Sequence, residues 1–125
     1  MHKVFVYGTL KQGMSNHNHF LLGRDYLGKA ETLDKYGMLD LYTFPGMVQN
    51  LRDGVVIGEV YELSDEDLAR VDLLEGHPNF FCRKEIDVFL IDDDVSPQVS
   101  CWAYFANDDG KRRKCVPDEK GELEW

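Results

Sequence analysis

Apolar positions along this chain fall mostly into short runs and period-two alternations, which is the pattern of strands. One stretch switches to a helical period. Val4-Phe5-Val6 is a continuous apolar run and predicts a strand over 3–7 buried on both faces, ending at Gly8-Thr9. Residues 10–13 read as a turn, and Asn16 is placed to cap a short helix running to about Leu22. Strand-like stretches follow at 26–33 and 38–42, and Phe44-Pro45-Gly46 reads as a break after them. The alternation is clearest from Val55 to Leu63. It puts Val55, Ile57, Glu59, Tyr61 and Leu63 on one face and Val56, Gly58, Val60 and Glu62 on the other.

Ser64 then stands at an N-cap position, with Asp65, Glu66 and Asp67 crowding the positive end of a helix that should stop at Gly76, just before Pro78. Residues 81–91 alternate again, with Ile86, Val88 and Leu90 inward and Glu85 and Asp87 outward. Asp92-Asp93-Asp94 and Pro97 mark a solvated turn, and 99–105 is the last strong strand. Residues 107–125 are polar and charged apart from Val116, Leu123 and Trp125, and are expected to wrap the surface or fray. No repeat or linker interrupts the chain, so a single domain over 1–125 is expected. About six strands with one long and one short helix predict an α+β domain around a curved or closed mixed sheet.

Composition narrows the function classes. The 125 residues carry 14 basic and 23 acidic side chains, a net charge of −9, which repels phosphate backbones and anionic membranes. Nucleic acid and membrane are therefore not expected as partners, and no apolar run is long enough to span a bilayer. A monomer acting on a small molecule is the expectation. Three cysteines, Cys82, Cys101 and Cys115, are odd in number and irregular in spacing. They suggest neither a disulfide framework nor a zinc site, and point to a reducing cytoplasm. His17 and His19 share a face only in an extended segment and have no third ligand in view, so no metal or other cofactor is expected.

One residue is out of place. On a wheel with Leu68 at zero, Val71 falls at about −60°, Leu74 at about −120° and Glu75 at about −20°. A carboxylate thus sits inside the apolar stripe, on the last turn. Burial and the negative end of the helix dipole both disfavour its charged form and raise its pKa. A carboxyl poised in this way can take a proton and return it. The alternative is a frayed last turn whose Glu75 swings into solvent or pairs with Arg83 or Lys84. Asp67, in the first turn, is explained by capping and dipole. Val6-Tyr7-Gly8-Thr9-Leu10 is the second feature: a strand running into glycine exposes successive backbone N–H groups, which suit an anion or oxyanion. On spacing alone an ordinary strand exit is the better explanation.

Together these blocks resemble the gamma-glutamylcyclotransferase-like superfamily, closest to its gamma-glutamylamine cyclotransferase branch. The residues that carry the likeness are 4–13, from Val4 through Tyr7-Gly8-Thr9-Leu10 to Gly13, then Asn16-His17, Gly58-Glu59-Val60-Tyr61, Asp72-Leu73-Leu74-Glu75-Gly76, Arg83 and Cys101-Trp102-Ala103-Tyr104. The resemblance implies a small mixed β-barrel of about six strands with flanking helices. It implies cleavage of a gamma-glutamyl amide by attack of the substrate's own α-amine, releasing 5-oxoproline and an amine. It carries the catalytic glutamate onto Glu75 and substrate binding onto Tyr7, Gly8, Thr9, Leu10 and Tyr104. Many relatives have Tyr where this chain has Phe81, which leaves substrate preference open. The same chemistry on a gamma-glutamyl amino acid or a carrier-bound substrate, and a non-catalytic binding module of the same fold, are the alternatives.

Overall fold

In the computed structural model, which describes residues 1–91, 95 and 97–125, nine strands and two helices are formed. The strands are β1 (His2–Val6), β2 (Asp25–Thr32), β3 (Gly37–Asp40), β4 (Pro45–Val48), β5 (Val55–Leu63), β6 (Phe81–Leu90), β7 (Gln98–Ala106), β8 (Arg113–Lys114) and β9 (Glu122–Leu123). The helices are α1 (His17–Phe20) and α2 (Asp65–Glu75). The turn expected at Asp92-Asp93-Asp94 lies outside the described residues.

Five strands close a mixed barrel in the order β1-β5-β2-β6-β7, because β1 pairs antiparallel with β5 and parallel with β7. β4, β3 and β8 extend the sheet beyond β7, and β9 adds to β5. Alternation along the closing strands sorts side chains into two cores. Phe5, Ala30, Val56, Val60, Val88, Cys101 and Ala103 fill the barrel. Val4, Val6, Tyr61, Leu63 and Tyr104 point outward and are covered by Leu21, Leu68 and Val71 of the helical layer. The expected burial of 4–6 on both faces is what this arrangement requires.

Gly58 shows how tightly β1 and β5 approach. A Cβ there would meet the Val6 carbonyl oxygen at 2.3 Å and the Phe5 ring at 2.8 Å. α2 begins and ends as its sequence predicts: the Asp67 N–H donates to Ser64 Oγ, and Gly76 closes the helix at φ 67°. Asp67 is further held by a two-pronged bond from Arg24, 2.8 Å from Nε and 2.9 Å from Nη2.

Several expectations need correction. Phe44-Pro45-Gly46 does not end the sheet, since Pro45 starts β4. Proline is tolerated as the first residue of a strand, where its missing N–H interrupts no ladder bond. Asn16 flanks α1 but makes no side-chain cap; its Nδ2 donates instead to Thr9 Oγ1 at 2.9 Å. The apolar stripe of α2 stops at Val71, and Leu74 is 38% exposed. Residues 107–125 wrap rather than fray, through β8, β9 and a fully buried Leu123. The buried Lys11 ammonium donates to the Trp125 carbonyl at 2.7 Å. Among the described residues no helix is long and apolar enough to cross a membrane.

Leu123 therefore tests the tail. Leu123→Ala should cost about 2–5 kcal/mol, the usual loss for a buried leucine. Urea unfolding would measure this, and a change below about 0.5 kcal/mol would mark the tail as loosely held.

Candidate active site

The end of β1, the β3–β4 hairpin, the end of α2 and the start of β6 surround a cavity of about 260 Å³. Its floor is apolar and buried, with Phe5, Val6, Leu10 and Phe81. Leu74 and Phe80 are more exposed and mark its opening side. Tyr7, Gly8, Thr9, Leu10, Glu75 and Tyr104, all singled out in the sequence, line this one space. Glu75 is the one charged side chain among the described residues that line it.

The loop after β1 is built by the sequence in a specific way. Gly8 is demanded by Pro45, whose ring carbons would lie 2.7 and 2.8 Å from any Cβ there. Turn bonds run from Lys11 N–H to the Gly8 carbonyl, at 3.1 Å, and from Asn16 N–H to the Thr9 carbonyl, at 2.9 Å. They engage carbonyls, and among the described residues no turn bond is donated by the N–H groups of Gly8, Thr9 or Leu10. These three residues line the cavity, and N–H groups left free in this way suit an anion or oxyanion. His17 Nδ1 lies 3.0 Å from the Leu10 carbonyl and anchors the far end of the loop.

Tyr7 plays a structural part as well. Its hydroxyl donates to the Tyr104 carbonyl at 2.7 Å and accepts from the Met47 N–H at 2.8 Å. The buried phenol thus ties β1 to β7 and β4, and its hydroxyl is committed to these bonds. Burial pushes its pKa far above the ordinary value. What Tyr7 offers the cavity is its ring and backbone.

Glu75 stands on the last turn of α2, half-buried, with its carboxyl enclosed by the cavity wall. Neither Arg83 nor Lys84 pairs with it: Arg83 binds Asp72, with Nε 2.9 Å from Oδ1, and Lys84 reaches Gln49 at 2.7 Å. Withdrawal from water pushes the Glu75 carboxyl up to about 7. Placement at the negative end of α2 acts in the same direction.

Asp72, one turn earlier, is the residue that spacing did not single out. It accepts from the Tyr104 hydroxyl at 2.5 Å and from Arg83. Arg83 in turn stacks on Trp102, 4.4 Å from the ring centre. Its position three residues before Glu75 put it on an adjoining helix face, a signal available in the sequence but indistinguishable there from a solvated acid. Phe44 and Phe80 were also missed. With Phe81 they form a ring cluster at centre distances of 5.1 to 6.2 Å beside the cavity. His17 and His19 do not act together, since one is buried against Leu10 and the other exposed. Among the described residues no three metal-ligating side chains converge.

Comparison with known proteins bears on the family and the fold. The profile of the family described as "Gamma-glutamyl cyclotransferase, AIG2-like" matches residues 4–124. A Methanocaldococcus jannaschii protein with a provisional gamma-glutamylcyclotransferase name is 38% identical over 105 residues, 84% of each chain. The cattle protein named gamma-glutamylaminecyclotransferase is 34% identical over 113 residues, 81% of this chain and 63% of its own. The crystal structure of a mouse AIG2-like protein superposes with a TM-score of 0.76 at 26% identity, over 85% of this chain and 77% of the other.

The raised Glu75 pKa has a consequence for stability. The folded state holds this proton more tightly than the unfolded state, whose carboxyl titrates near 4.5. Stability is therefore lost as pH rises from about 4.5 to about 7 and the cost is complete above that range. Glu75→Gln should remove the cost. Its melting temperature should match the parent near pH 4.5 and exceed it at pH 8, by an amount worth up to about 2 kcal/mol after allowing for partial exposure. Parallel melting curves across that range would contradict the assignment.

Proposed function

This chain belongs to the gamma-glutamyl cyclotransferase, AIG2-like family, whose named relatives are gamma-glutamylcyclotransferases, and we propose that it cleaves gamma-glutamyl amines to 5-oxoproline and a free amine. The observation that carries this reading is the Glu75 carboxyl, unpaired among the described residues and held near neutrality in the cavity that residues 8–10 also line.

The reaction needs little beyond these groups. The substrate's α-nitrogen attacks its own γ-carbonyl carbon, so no serine or cysteine nucleophile is required. Ring closure is intramolecular, and the cavity contributes by holding the reactive conformer. Glu75 first removes a proton from the α-ammonium, which frees the lone pair. The loop N–H groups bind either the α-carboxylate or the oxygen on which charge develops. As the amide C–N bond breaks, Glu75 returns the proton to the departing nitrogen. The α-nitrogen loses two protons overall and the leaving nitrogen gains two, so no water is consumed.

Leaving-group chemistry supports the amine reading over an amino-acid one. A departing amino acid brings a second carboxylate. Among the described residues the cavity offers it no cation, only Glu75. An uncharged or apolar amine meets no such penalty.

Assay of 5-oxoproline release from gamma-glutamyl ethylamide and gamma-glutamylglycine tests both levels. Turnover of the amide with little of the peptide is expected; preference for the peptide would return the chain to the amino-acid class. In the parent, kcat/KM should rise with pH through about 7 as Glu75 ionises. Glu75→Gln should lower turnover by about 10²–10⁴. Near-parental turnover in that variant would strip Glu75 of its role. Gly8→Val, which drives a side chain into Pro45 and shifts the loop, should instead weaken substrate Kd by roughly tenfold or more.

A further inference from the structure

We propose that Asp72 is a positioning residue that fixes Tyr104 as a pure hydrogen-bond acceptor, and that the Tyr104 oxygen and Glu75 together seat a primary ammonium group of the ligand. The proposal rests on the gamma-glutamyl reading only for which ammonium that is, the substrate's α-ammonium.

The argument is a count of protons and lone pairs. A phenol carries one proton. Tyr104 gives it to Asp72 Oδ1 at 2.5 Å. Asp72 has no proton to return, because the same oxygen takes the Arg83 Nε–H at 2.9 Å in an ion pair. Trp102 holds the guanidinium from the other side, so the partner of Asp72 does not swing away. The Tyr104 oxygen therefore keeps only lone pairs to offer. Burial and the neighbouring Asp72 and Glu75 carboxylates keep the phenol protonated. Tyr104 is 3% exposed, so what it faces is protein or the cavity that it lines with Glu75.

Tyr104 and Glu75, which carry these two acceptors, line one cavity with residues 8–10, whose N–H groups donate no turn bond among the described residues. A ligand with an ammonium and a carboxylate on one carbon complements this donor and acceptor division. Tyr104 would hold the nitrogen in place while Glu75 takes its proton, leaving the lone pair free. Asp72 itself is not among the described lining residues, so it acts through Tyr104.

A matched pair of inert ligands tests this without turnover. O-ethyl-L-homoserine has the α-ammonium and α-carboxylate but no scissile carbonyl, and 4-ethoxybutanoate differs only by lacking the ammonium. Calorimetry on the intact protein should show the parent binding the homoserine ether about 10- to 100-fold more tightly, as expected for hydrogen bonds to a charged group. Tyr104→Phe should cut that preference by about tenfold and leave the Kd of 4-ethoxybutanoate within about twofold. Asp72→Leu should act in the same direction, because it removes the acceptor and lets the Tyr104 proton turn toward the cavity. Equal weakening of both ligands would mean a purely structural tie and would overturn the proposal. So would an unchanged preference in Tyr104→Phe, or no binding of either ligand to the parent. If Asp72→Leu does not fold, Tyr104→Phe, which removes one oxygen, decides alone. Absence of 5-oxoproline from the parent alongside an intact ammonium preference would sink the cyclisation reading and leave the ammonium seat standing.

Discussion

A strand that pairs along both edges and is buried on both faces has almost no freedom to shift, and β1 is such a strand. It bonds to β5 on one side and β7 on the other, so the barrel closes through it. Val4 and Val6 face one core and Phe5 the other. The chain leaving β1 is therefore launched from a fixed point. The Tyr7 hydroxyl adds two buried hydrogen bonds at that point, to β7 and β4. Backbone donors are useful in a site only if they stay put, because a fixed dipole contributes without reorganising. In the proposed reaction, the rigidity of β1 is what would let the N–H groups of residues 8–10 act as such donors.

Two carboxylates one turn apart on α2 then take opposite characters from their surroundings. Asp72 is paired by Arg83 and bonded to Tyr104. Glu75 has neither partner and is withdrawn from water by burial, so its affinity for a proton rises. Environments that separate two similar acids in this way assign one to structure and the other to proton transfer. The cost is local: a helix that ended in leucine at 75 would bury more apolar surface. Gly76 limits it by ending the helix at once, turning the chain toward Phe80 and Phe81.

Packing around the cavity explains residues that otherwise look arbitrary. Gly8 is set by Pro45, and Gly58 by the Val6 carbonyl and Phe5 ring. Pro45 reads as a breaker in isolation but opens β4, and from there it presses on the loop after β1. Phe81 puts a ring, without a hydroxyl, into the buried floor between Phe44 and Phe80.

Local signals that need no partner were legible in the sequence. The β5 alternation, the Ser64 cap, the Gly76 stop and the two-faced burial of β1 depend on neighbours a few residues away, and they stand where the pattern put them. Glu75 was legible for the same reason, since a helical period alone places it in the stripe. What the pattern could not supply were contacts between distant segments. Pro45 against Gly8, Leu123 against the barrel, and the Asp72–Arg83–Tyr104 bonds join residues 11 to more than 30 positions apart, and burial of the Glu75 carboxyl depends on such contacts. A periodicity says which side of an element is apolar; only closure of the barrel decided what that side meets, and so which carboxylate was paired by Arg83 and which was not.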